Sequence, residues 1–177
     1  MKLRIFPIVA TVVVSALLLF GGWYGYRQIA LQSPFEKMVT QYNGVNNVQL
    51  NINHNTVTLK LDLKPQTDLR DLVQHIKDKG GSLIRGKELK LEVQDHSNEA
   101  LNKWWSEALF PIAEAMENKK YTEITSTLDK LKNEVPGLKA TAEMDDTNVY
   151  ISLTDGKASK FIILPRKAEQ VGVWNNA

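Results

Sequence analysis

The chain of 177 residues contains no cysteine. That absence excludes disulfides, thiolate zinc sites, iron–sulfur ligation, lipidation at a Cys and cysteine nucleophiles together. Cysteine-free exported domains are common where oxidative folding is not relied upon, which associates this chain with a bacterial envelope. No Asn-x-Ser/Thr glycosylation acceptor occurs either. An excess of positive charge is also missing. The formal charge is +2, and setting aside Lys2, Arg4 and Arg27 leaves nineteen basic against twenty acidic residues. Nucleic-acid binding usually requires a basic face, and here the charges of both signs are interspersed, so no nucleic-acid partner is expected.

Catalytic patterns are absent as well. The sequence has no Gly-x-Ser-x-Gly elbow, no Walker loop, no Gly-x-Gly-x-x-Gly after a strand and no His-Glu-x-x-His. Gly80, Gly81 and Gly86 follow a helical stretch where a phosphate cradle would precede one, so capping and turning explain them. Of the three histidines, His75 has Asp71 four residues before it and Asp78 three after, so all three fall on one helical face within reach of a metal. The same spacing is what an exposed helix offers through ordinary charge pairs. His54 and His96 fall in loops, and Asp145 and Asp146 fall in a turn. No catalytic, cofactor or metal residue is assigned, and the chain reads as a non-enzyme.

One long apolar run is present. From Ile5 to Tyr24 no charged side chain occurs between Arg4 and Arg27, and about 20 apolar residues at 1.5 Å rise span a bilayer's hydrocarbon. Trp23, Tyr24 and Tyr26 close the run where amphipathic rings favour the headgroup region. Lys2, Arg4 and the amino terminus against Arg27 predict a cytoplasmic N-terminus and an exported body. A cleaved signal peptide is the rival, but its apolar region runs about 7–15 residues and ends in a small-x-small site. Gly21 and Gly25 share a helix face and would allow self-association through a small-xxx-small contact.

Beyond the run, Phe35, Met38, Val39 and Tyr42 predict a helix from Pro34, ended by Asn43 and Gly44. Val48, Leu50 and Ile52, a turn at His54 and Asn55, then Val57, Leu59, Leu61 and Leu63 predict a hairpin with one apolar face. Leu69, Leu72, Val73 and Ile76 stripe a helix over Asp68 to Lys79, and Leu89, Leu91 and Val93 form a third strand. In element order this half resembles the small two-layer modules of envelope and sporulation proteins, the BON and ring-building domains, whose helices cover one face of a three-stranded sheet. That is a likeness of fold and carries no function by itself.

A longer helix follows from Asn98, with Leu101, Trp105, Ala108, Leu109, Ile112 and Met116 on one face and Pro111 kinking or splitting it. Ile124, Leu128 and Leu131 stripe another helix to Glu134. Alternation through Ala140 and Ala142, then Val149, Ile151 and Leu153, then Phe161 to Leu164, predicts three more strands. The segment from Asn43 to Val48 matches Asn133 to Leu138 at an offset of 90 residues, which suggests two diverged helix-hairpin units.

The organisation expected is an α+β chain. Residues 1–4 form a cytoplasmic stub, 5–26 a transmembrane helix, 27–33 a linker and 34–96 a first α-β-β-α-β unit. Residues 97–120 form a connecting helix, 121–167 a second α-β-β-β unit and 168–177 a tail carrying Trp174. The bilayer is the expected partner of Ile5 to Tyr26. Trp104, Trp105 and Phe110 are the expected protein-contact residues, because aromatics dominate interface anchors. The expected function is a scaffold or regulatory subunit of a bacterial envelope or sporulation assembly. A small-ligand or sensor module is the alternative, requiring a polar cleft between the units, and a metal-assisted hydrolase stands behind both.

Overall fold

The computed structural model describes residues 5–26, 33–84 and 86–166. The expected stub, residues 27–32 of the linker with Arg27, and the tail with Trp174 lie outside the described residues. Helix α1, Ile5–Tyr26, is 22 residues long, about 33 Å at 1.5 Å per residue. Its stretch Val9–Tyr26 has a mean hydropathy of 1.6, and none of it is buried against the rest of the chain. Among the described residues, therefore, one helix is long and apolar enough to cross a membrane.

The first sheet is built from α2 (Ser33–Thr40), β1 (Val45–Ile52), β2 (Thr56–Leu63), α3 (Leu69–Lys79), the short α4 (Gly81–Ile84) and β3 (Glu88–Val93). Its strand order is β1-β2-β3, with β1 antiparallel and β3 parallel to the central β2. The parallel pair is possible because α3 and α4 supply the crossover that a tight turn cannot. Alternation puts Val57, Leu59, Leu61 and Leu63 on one buried face, while Thr58, Lys60 and Asp62 look outward. Onto that face pack Phe35 and Val39 of α2 and Leu69, Leu72, Val73 and Ile76 of α3. Asp68 caps α3 by accepting from the Asp71 N–H at 2.8 Å, satisfying a donor that the first turn leaves free.

The second sheet follows α5 (Glu99–Glu117) and α6 (Tyr121–Glu134) and comprises β4 (Leu138–Met144), β5 (Asn148–Asp155) and β6 (Ala158–Pro165), antiparallel throughout in the order β4-β5-β6. Leu138, Ala140, Val149, Ile151 and Leu153 face a core built with Leu101, Ala108, Ile112 and Ala115 of α5 and Ile124, Leu128 and Leu131 of α6. The other face of β5 and β6 sends Tyr150, Phe161 and Ile163 into the core of the first sheet. The central strand β5 is thus covered on both sides. A single bridge, Ser159 N–H to His96 C=O at 3.2 Å, joins the edge of the second sheet to the chain just past β3.

Three local expectations change. Pro111 does not split the helix, since α5 runs unbroken from Glu99 to Glu117; both Pro111 and Glu107, whose carbonyl loses its i+4 donor, are exposed, where a missing helix bond costs less than in the core. Leu109 is not a core residue but is 41% exposed, because the buried stripe is centred on Ala108, Ile112 and Ala115. The turns entering the two hairpins match at different residues from the sequence match. Val45 N–H bonds Tyr42 C=O and Leu138 N–H bonds Val135 C=O, each after a positive-φ glycine, Gly44 or Gly137. By turn geometry Leu138 is therefore the equivalent of Val45, three residues from the position that the sequence offset of 90 assigns it.

Candidate functional site

Helix α5 carries the aromatic residues singled out from sequence, and its rotation decides what each does. At 100° per residue, Phe110 stands about 160° from Ala108 and so away from the core. It is 80% exposed, the most exposed large apolar side chain outside α1 among the described residues. Trp104 and Trp105 flank the buried stripe, both half-buried and packed against the second core. The three aromatics are therefore not one patch. Leu109 lies beyond Trp105 on the same side of the stripe, where it joins Ala113 and Met116 of α5 and Leu164 and Pro165 of β6 in a groove of about 510 Å³ that Glu117, Lys119 and Arg166 also line.

The helix face holding Asp71, His75 and Asp78 has a structural use. The Tyr42 hydroxyl donates to Asp71 Oδ2 at 2.6 Å, and the His75 ring tilts against the Tyr42 ring with centroids 5.5 Å apart. Burial and the Asp71 carboxylate together raise the Tyr42 hydroxyl above its ordinary range. Asp78 is exposed. Among the described residues no three His, Asp or Glu side chains group to hold a metal ion. His96 Nε2 lies 2.9 Å from Asp62 Oδ1, and bonds from Asn46 and then His96 lower the Asp62 carboxyl against burial. The His54 carbonyl accepts from Lys87 Nζ.

Asp145 is a structural hub. Its Oδ1 accepts from the Thr147 and Asn148 N–H groups, each at 2.7 Å, and its Oδ2 accepts the Tyr150 hydroxyl at 2.7 Å. Lys77 of α3 reaches the same Oδ2 at 3.5 Å, tying the β4–β5 turn to the first sheet's helix. Burial opposes ionisation there, but these donors hold the carboxyl well below the usual range. The Tyr150 hydroxyl is pushed up to about 12, by burial first and then by the Asp145 carboxylate. Asp146 is an exposed turn residue.

A second feature was not legible in the sequence. Between the β2–α3 loop and the second sheet lies a cleft of about 310 Å³ lined by Gln66, Thr67, Asp68, Leu69, Lys139, Thr141, Glu143, Tyr150, Ser152 and Thr154. Six of these are three cross-strand pairs on one face, Lys139 with Thr154, Thr141 with Ser152, and Glu143 with Tyr150. Burial and the nearby Asp68 carboxylate raise the Glu143 carboxyl. Period-2 alternation marks these positions as facing away from the α5–α6 core, but no local signal says what they face instead.

No protein-family model, curated protein or solved structure matches the chain.

Proposed function

We propose that this chain is a single-pass membrane protein whose body lies outside the cell membrane and acts without catalysis, by protein–protein contact, as a scaffold or regulatory subunit of a bacterial envelope or sporulation assembly. The observation that carries the reading is Phe110, a large aromatic that α5 presents to solvent at 80% exposure. Covering an exposed Phe with a partner is favourable by roughly 1.5–3 kcal/mol, and aromatic anchors supply much of an interface's binding energy. The unburied α1 and the charge asymmetry about it support the anchor and its orientation. We also propose that the two hairpins descend from one helix-hairpin unit, supported by the matching glycine turns before β1 and β4.

A photo-crosslinking residue at position 110, compared with one at exposed Lys103, tests the contact in intact cells. Adducts specific to position 110 support it; the same adducts at both positions, or none at 110, overturn it. Protease added to intact cells tests the orientation: digestion of the body supports it, and protection until lysis overturns it. The ligand-binding alternative is favoured by a separate observation, the polar cleft beside β4 and β5, and is compatible with the contact reading.

A further inference from the structure

The cleft carries opposite charges at its two ends and hydroxyl groups between them. Lys139 and Glu143 stand on the same face of β4 with Thr141 between them, about 14 Å apart at their Cα atoms for a strand rising 3.4 Å per residue. At one end Lys139 Nζ reaches across to Gln66 Oε1 at 2.9 Å. At the other, Glu143 lines the cleft together with Asp68 of the facing loop and has Tyr150 as its cross-strand neighbour. Ser152 pairs with Thr141 in the middle.

The deep wall holds the second observation. Thr154 lines the cleft, is 3% exposed and makes no side-chain hydrogen bond among the described residues. The Thr154 hydroxyl in the cleft wall, without a protein partner among the described residues, can both donate to and accept from a ligand's polar atom.

We propose that this cleft binds a short zwitterionic peptide of two or three residues, extended along β4 and β5, with its carboxylate on Lys139 and Thr154 and its ammonium between Glu143 and Asp68. An extended segment of that length covers about 7–10 Å, which suits the gap left once the Lys139 and Glu143 side chains reach inward. A single amino acid is too short to meet both ends. Thr141 and Ser152 both donate and accept, as the intervening peptide groups require. The two facing carboxyls repel unless a proton or a cation lies between them; burial and then Asp68 raise the Glu143 carboxyl, with Arg70 opposing. An ammonium supplies that cation.

The inference rests on the ligand-binding reading and is independent of the Phe110 contact. Calorimetric titration of the full chain in detergent at pH 7 tests it, using trialanine with free ends, its N-acetylated form and its C-amidated form. The free peptide binds, and blocking either end weakens binding by about tenfold or more through loss of a charge-assisted bond. Lys139→Met removes only the preference against the amide, and Glu143→Gln only the preference against the acetyl form. A misfolded variant instead weakens all three peptides together, so the three-peptide comparison on the unaltered chain decides the matter alone. Equal binding of all three peptides overturns the charge assignment while leaving a ligand site. No binding of any at millimolar concentration overturns both.

Discussion

The Tyr150 hydroxyl donates to Asp145 Oδ2 at 2.7 Å while the rest of the Tyr150 side chain is packed in the core of the first sheet. One residue of β5 thus seals the junction between the sheets and at the same time organises the β4–β5 turn. Lys77 of α3 reaches the same carboxylate from across that junction.

Tyr150→Phe keeps the ring and deletes the donor. It is expected to destabilise the chain by about 1.5–3 kcal/mol, the usual loss for a hydrogen bond to a charged acceptor, read by urea denaturation at pH 7. The folded Asp145 carboxyl is depressed below its unfolded value, so its contribution is present above about pH 4 and is lost as pH falls towards the folded pKa. Tyr150→Phe should therefore reduce the loss of stability on acidification below pH 4. An unchanged acid profile would show that Tyr150 does not hold Asp145 ionised.

Glu143 has the opposite sign. Its folded pKa is raised, first by burial and then by Asp68, with Asp71 adding and Arg70 opposing. Its contribution is fully present below the unfolded value near 4.5 and is lost as pH rises through the folded value. Glu143→Gln removes that loss, so its thermal midpoint at pH 7 should exceed that of the unaltered chain, with the difference shrinking towards pH 4. A lower midpoint at pH 7 would contradict the assignment.

Gly44 and Gly137 occupy equivalent turns at φ 111° and 91°, yet they should respond unequally to Ala. A Cβ on Gly44 collides with Thr67, whose Oγ1 donates to the Gly44 carbonyl at 3.0 Å, whereas a Cβ on Gly137 meets open space. Gly137→Ala is expected to cost about 1 kcal/mol from backbone strain alone, and Gly44→Ala about 2 kcal/mol or more. Chemical denaturation of the two variants side by side checks the order.

Phe110→Ala separates contact from stability. Truncating so exposed a side chain should change unfolding free energy by less than about 0.5 kcal/mol. Leu72→Ala, at a position with no exposure, should cost about 2–5 kcal/mol. If Phe110 anchors a partner, its truncation should also abolish co-purification of that partner from crosslinked cells while the protein's own level is unchanged.

Much of the fold was legible because local periodicity reports which side of an element avoids water. The α1 run, the α3 stripe of Leu69, Leu72, Val73 and Ile76, and the alternation of Val57 to Leu63 all needed nothing beyond neighbouring residues. The same signal misplaced Leu109, because a helix stripe read from sequence has a width but no exact centre; packing against α6 above all, and against β5 and β6, set the centre at Ala108 and Ile112. It also could not pair the strands across a crossover, so the parallel partnership of β2 with β3 and the division into two sheets emerged only from the structure.

By itself, the residue order determined where apolar surface lies along the chain, and with it the membrane-length helix, the absence of thiol chemistry and the two faces of each strand. Only the tertiary structure decided what stands opposite those faces: Gln66 beside Lys139, Lys77 beside Asp145, and Asp68 beside Glu143. The reason is physical. Burial periodicity is written into spacings of two to four residues, whereas a cleft is made by groups some 70 positions apart, whose meeting depends on how whole layers pack.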